Sequence, residues 1–137
     1  MLRNELNDNL LNELKRACDN VGVHFSHPVE RATANKDFPY VTVVWREWRP
    51  DTIGNLYGMQ TCDIIGIVKG DDDDLLSKST ELEDKIINVL YKNETVKNNI
   101  VVINHSNLFQ PFGVDAGVFP PYSGVRIEIE IGNVKLT

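Results

Sequence analysis

Cysteine, histidine and long apolar runs are all scarce in these 137 residues, and each scarcity removes a class of protein. Cys18 and Cys62 are the only cysteines. They make neither a disulfide scaffold nor a metal motif, and are expected as small buried hydrophobes in a reducing compartment. His24 and His27 stand three apart, but no third ligand is near them in sequence; His105 is the remaining histidine. No metal site is expected from that spacing. No run approaches the ~18 apolar residues of a membrane span. The opening Met-Leu-Arg-Asn-Glu-Leu-Asn-Asp lacks the apolar core of a signal peptide. No glycine loop of the phosphate-cradling kind is present, and no Ser/His/Asp set has a recognisable local context. Cys62 follows Thr61 in a strand, without a helix N-terminus to lower its pKa. No cofactor is implied. An enzyme would need a site assembled from distant residues.

Basic clusters are missing as well. Lys and Arg number 14 against 20 Asp and Glu, for a net charge of −6. That balance argues against a surface built to grip nucleic acid. It suits a passage that DNA crosses without sticking, because like charges repel. The length suggests one domain spanning 1–137, large enough for a core without disulfides or metal.

The apolar residues that are present carry clear periods. Leu6, Leu10, Leu14 and Cys18 recur at four, predicting a helix from Leu2 to about Asn20 that Gly22 ends. A polar loop follows around Pro28, and Pro39 imposes an extended entry into the next element. Tyr40 to Trp48 reads as a strand. Simple alternation puts Val41, Val43 and Trp45 on one face, with Thr42, Val44, Arg46 and Trp48 on the other. One tryptophan is then core and the other exposed or interfacial. Pro50 to Asn55 is turn chemistry, and Leu56 to Val68 returns to make an antiparallel hairpin. Gly66 inside that strand marks a bulge or a close backbone approach.

After Gly70 come four carboxylates, Asp71, Asp72, Asp73 and Asp74, and then an amphipathic helix. Leu75, Ser79, Leu82, Ile86, Val89 and Leu90 share one side of it, and it frays around Asn93. Asp74–Lys78 and Glu81–Lys85 are i,i+4 pairs of the better orientation. Ile100 to Ile103 is a short strand. Asn104 to Gly124 shows no clear period, so it hides a strand or forms a functional arm. Val125 to Ile131 alternates strictly. Its polar side (Arg126, Glu128, Glu130) indicates a sheet face not covered by helices. These elements predict an α+β domain: a mostly antiparallel four- to five-stranded sheet with two helices packed on one face.

Two features compete as sites. The run Asp71–Asp74 reads as a helix cap with a solvated acidic patch. Calcium loops space their acids at alternate positions, and this run does not. The arm carries Phe109, Phe112, Phe119 and Tyr122 among prolines and glycines. These rings, together with Trp48, are candidate partner-interface anchors, since aromatic residues are enriched at interface hot spots. The competing reading folds the arm's rings back onto the chain's own sheet.

The whole layout resembles the phage tail terminator family, with its related tail-completion and neck proteins. An N-terminal helix leads through a Pro-containing loop into Phe38-Pro-Tyr-Val-Thr-Val. The hairpin returns through Gly58-Met-Gln-Thr-Cys-Asp-Ile-Ile-Gly-Ile-Val. The long helix follows, and then a gap closes with Tyr122-Ser-Gly-Val-Arg-Ile-Glu-Ile-Glu. The resemblance implies a virion structural protein without catalytic residues. It would form a homo-oligomeric ring, typically a hexamer, that caps the finished tail tube and offers a platform for the head. Partners would be the tail tube protein and a neck or head-completion protein, with DNA passing through the lumen and no membrane involved. The place would be the head-proximal end of the tail, reached from the host cytoplasm during assembly. Contact loops would be Ser26–Asp37, Arg49–Asn55 and Asn104–Gly124. The alternatives are another neck or baseplate component, and, from a different class, a small metal-binding or enzymatic domain using Asp71–Asp74.

Overall fold

The first helix, α1 (Arg3–Ala17), buries Leu6, Leu10 and Leu14, the leucines spaced at four. The Leu2 amide donates to Glu5 Oε2 at 3.3 Å, which satisfies one of the unpaired donors at the helix start. The helix stops at Ala17, and Cys18 turns into extended backbone with its amide on the Leu14 carbonyl. Gly22 is therefore not its terminator. Gly22 lies within β1 (Val21–His24), opposite Thr42. The computed structural model describes residues 1–18, 21–24, 38–109 and 122–136.

The hairpin consists of β2 (Tyr40–Pro50) and β3 (Tyr57–Lys69). The second helix, α2 (Asp72–Lys92), leads into β4 (Ile100–Phe109), and β5 (Tyr122–Lys135) is last. They build one five-stranded sheet in the order β1-β2-β3-β5-β4. Every pairing is antiparallel except β1 with β2. The fold is α+β, as the periodicities predict.

Both helices pack on one face. Leu6, Leu10 and Leu14 of α1 and Leu82, Ile86 and Leu90 of α2 join Val41, Val43, Cys62, Ile64 and the alternating Val125, Ile127, Ile129 and Ile131 in the main core. Fully burying such a side chain is worth roughly 1.5–3 kcal/mol, so this one layer dominates the stability. Gly66 marks a close approach and not a bulge, because α2 settles directly over it. The opposite face holds a smaller buried cluster of Tyr40, Val44, Ile65 and Ile67, with Phe38 and Tyr122 packed against it.

Asn93 ends α2 without fraying. Its Oδ1 accepts the amides of Thr95 and Val96 at 2.9 and 3.2 Å, and its Nδ2 donates to Asn9 Oδ1 at 2.8 Å. One buried amide side chain thus closes the helix, starts the next turn and ties α2 to α1.

Bulges shape the strands. Trp45 pairs with Cys62 and Trp48 with Gln60, so β2 carries one extra residue between them. β4 carries two further irregularities, between Val102 and Asn104 and between Ser106 and Phe109. The aperiodic start of the 104–124 segment is thus strand. The bulges hide it by breaking the alternation. A bulged edge strand also resists unwanted pairing with other chains.

Candidate assembly surface

The bulge in β2 corrects the expectation for the tryptophans. One extra residue shifts the period of two by one step, so both indoles face the helices and pack on the main core. Trp45 Nε1 donates to Asn7 Oδ1 of α1 at 2.6 Å, and Trp48 Nε1 donates to the Val134 carbonyl at 3.0 Å. Trp48, a candidate interface anchor, is half-buried and spends its indole N–H on its own chain. Gln60 holds the bulge. Its buried Nε2 donates to the carbonyls of Arg46 and Glu47, both at 3.2 Å, while Thr61 Oγ1 donates to Glu47 O at 3.1 Å.

The other candidate anchors are placed unequally. Phe109 sits opposite Gly124 at the end of β4. Phe112 and Phe119 lie outside the described residues, as do the loop 26–37 and His27. Tyr122 is half-buried; its ring centroid is 5.3 Å from that of Phe38, with Lys69 Nζ at 5.8 Å. Among the described residues, then, the structure brings together no aromatic anchor cluster from the candidate set.

Asp71 occupies the N-cap position of α2 with its backbone only. Its carbonyl accepts the amides of Asp74 and Leu75 at 2.9 and 3.1 Å, and its side chain makes no capping bond. Asp73 and Asp74 are exposed in the first turn. Lys78 donates to the Lys69 carbonyl at 3.0 Å, bracing the strand-to-helix join. No cluster of three His, Cys, Asp or Glu suited to a metal ion occurs among the described residues. His105 Nδ1 lies 3.2 Å from Glu83 Oε1, linking β4 to α2.

A charged network that sequence reasoning missed crosses the helix-free face. The Asp63 carboxylate is 2% exposed, with Arg46 at 2.6 Å and Arg126 at 3.3 Å; Arg126 also reaches Glu128 at 3.2 Å. Asp63 stands opposite Val44 and Glu128 in the register, so three strands converge on one buried carboxylate. The polar alternation of β5 was the available signal. The partner on β3 was hidden inside an apolar run. Beside it, burial pushes the Cys62 thiol far up, helped by the Asp63 charge and opposed by Arg46. That thiol stays protonated and is no nucleophile.

Apolar side chains stand in solvent at the hairpin end. Ile53 is 103% exposed, Leu56 56% and Tyr57 41%. The turn that presents them is braced. Asn55 N donates to Thr52 O at 3.0 Å, Asp51 N to Tyr57 O at 3.1 Å, and Tyr57 N to Asn55 Oδ1 at 3.0 Å. Gly54 takes a positive φ of 80°, which suits glycine. Leu136 N adds a bond to Leu56 O at 3.1 Å. A second exposed pair, Val101 and Ile103, lies on β4 beside Glu128 and Glu130 of β5. Contiguous exposed apolar surface on a polar rim is a mark of protein contact. No protein-family model matches this chain, and no curated protein matches its sequence.

Proposed function

We propose that this chain is a virion structural protein of the tail terminator type. It forms a ring on the last ring of the tail tube, stops further polymerisation and recruits the neck. The observation that carries the reading is the braced hairpin end. Ile53 is held out by a hydrogen-bonded turn within the loop Arg49–Asn55 that the resemblance marks for contact, and Leu56 and Tyr57 stand exposed just beyond it. An ordered turn loses little entropy when it binds, which is how preorganised contacts gain affinity.

The mechanism is one of shape and charge. The exposed apolar sites at the hairpin end and on β4 are different surfaces. Pairing unlike surfaces of identical subunits gives a heterologous contact, and such contacts form a ring when the rotation between neighbours closes. The net charge of −6 keeps DNA from adhering as it passes the lumen. Partners are other copies of the chain, the tube protein and a neck protein.

Imaging of intact particles, at a resolution that traces this chain, tests the proposal. The expected result is a ring at the head-proximal end of the tail. Density for the chain at the distal end would move it to the baseplate, and its absence from particles would sink the reading.

A further inference from the structure

The helix-free face holds a shallow open depression of about 400 Å³. Ile103 forms an apolar wall, and the charged lining includes Glu47, Glu128 and Glu130 against Arg46 and Arg49. Asp63 lies below, already clamped by Arg46 and Arg126. The bulge in β4 explains the wall. Val102 pairs with Ile129 and Asn104 with Glu128, which leaves Ile103 unpaired between them and turned out to solvent. Arg49 lies 3.8 Å from both Glu47 and Glu130, and Arg126 lies 3.2 Å from Glu128, so Asp63 and these three glutamates face Arg46, Arg49 and Arg126 with one carboxylate in excess. An exposed isoleucine beside that excess suits an apolar group accompanied by a single cation.

The hairpin end supplies both. Ile53 projects fully, and Lys135 Nζ lies 5.8 Å from the centroid of the Tyr57 ring at its base. We infer that the hairpin end of one copy seats on the Ile103 depression of the next, with Ile53 against Ile103 and Lys135 facing Glu128 and Glu130. This rests on the ring reading above and names the contact between neighbours. Size argues for a second copy in a closed assembly. Three side chains bury on the order of a few hundred Å², well short of the roughly 800 Å² per partner in a standard stable complex. A contact this small accumulates when each subunit makes it twice, once with its tip and once with its depression.

Cysteine trapping tests the contact, because it captures weak encounters. Ile53→Cys and Ile103→Cys would be made as separate chains. Both sites are exposed, so both variants are expected to fold, and circular dichroism checks this. Cys18 and Cys62 are buried and stay out of the reaction. The two variants are mixed at high concentration with oxidised glutathione and compared with each alone. The expected result is a covalent dimer in the mixture only, with the 53–103 disulfide identified by mass spectrometry of a digest. Adding Glu128→Lys and Glu130→Lys to the Ile103→Cys chain should lower the yield several-fold. A dominant 53–53 disulfide, or a mixture no more crosslinked than wild type, overturns the inference. Particles that carry the ring while the 53–103 disulfide fails to form would sink this contact and leave the terminator reading standing.

Discussion

Gly66 of β3 lies directly beneath Leu82 of α2. A β-carbon at Gly66 would fall 2.5 Å from Leu82 Cδ2 and 3.2 Å from its Cγ. The helix can sit this low on the sheet only because that carbon is absent. Gly66→Ala is expected to destabilise the chain by about 1–3 kcal/mol, the range for overpacking. Gly58→Ala should cost more. There the new carbon would meet the Arg49 carbonyl, which is backbone and cannot rotate away. Urea midpoints would rank the two. The double variant Gly66→Ala with Leu82→Ala should lose less than the sum of the two single losses, since the truncated leucine no longer meets the new carbon.

Asp63 is the next test. Asparagine there keeps the shape and one acceptor but removes the charge that two guanidiniums share. Arg46 and Arg126 are 44% and 29% exposed, so water partly replaces the lost partner. We expect Asp63→Asn to lose about 1.5–3 kcal/mol, in line with hydrogen bonds to charged groups, and Asp63→Ala to lose more. Equilibrium denaturation measures both.

Gln60 holds the β2 bulge in place. Gln60→Leu leaves the Arg46 carbonyl without its side-chain donor, while the Glu47 carbonyl keeps only the Thr61 hydroxyl. It also removes Oε1, a buried acceptor with no partner of its own. The two effects oppose, so the expected loss is about 1–2 kcal/mol. In a Trp45→Phe background the emission of Trp48 should shift to the red, because the bulge no longer fixes that indole on the core. An unchanged spectrum with unchanged stability would show that the bulge does not depend on Gln60.

The Cys62 thiol sets a pH dependence. Folding raises its pKa, chiefly by burial, so the folded state keeps a proton that the unfolded chain releases. Stability therefore declines as pH rises past the ordinary thiol pKa of about 8.5, by at most about 1.4 kcal/mol per unit. The difference in stability between wild type and Cys62→Ala, followed from pH 7 to 10, isolates the effect. Thiol reagents should leave Cys62 untouched until the chain unfolds.

What was legible in the chain depended on unbroken period. Leu6, Leu10 and Leu14, and the alternating Val125 to Ile131, announce their faces because nothing interrupts the count. Trp48 was misplaced because one inserted residue inverts every face beyond it, and alternation carries no sign of the insertion. The same physics hid the length of β4, whose two bulges remove its period. Asp63 was invisible for another reason. Its meaning comes from Arg46 and Arg126, which lie on other strands and reach it only through the register. Ile53 read as part of a turn, since sequence tells that a turn forms but not which side chains it leaves standing in water.

The strand order β1-β2-β3-β5-β4 also dictates a schedule. β5, the last of the five described strands, is the one that joins β3 to β4. Until it leaves the ribosome, β4 has no neighbour in the sheet, and the main core lacks Val125, Ile127, Ile129 and Ile131. The nascent chain can close its β2–β3 hairpin early, but that hairpin then waits with one edge open. Sheets built on such distant pairings fold slowly and expose apolar edges while they wait. Emergence of β5, more than any local step, is the event that closes the sheet and takes this chain out of its aggregation-prone state.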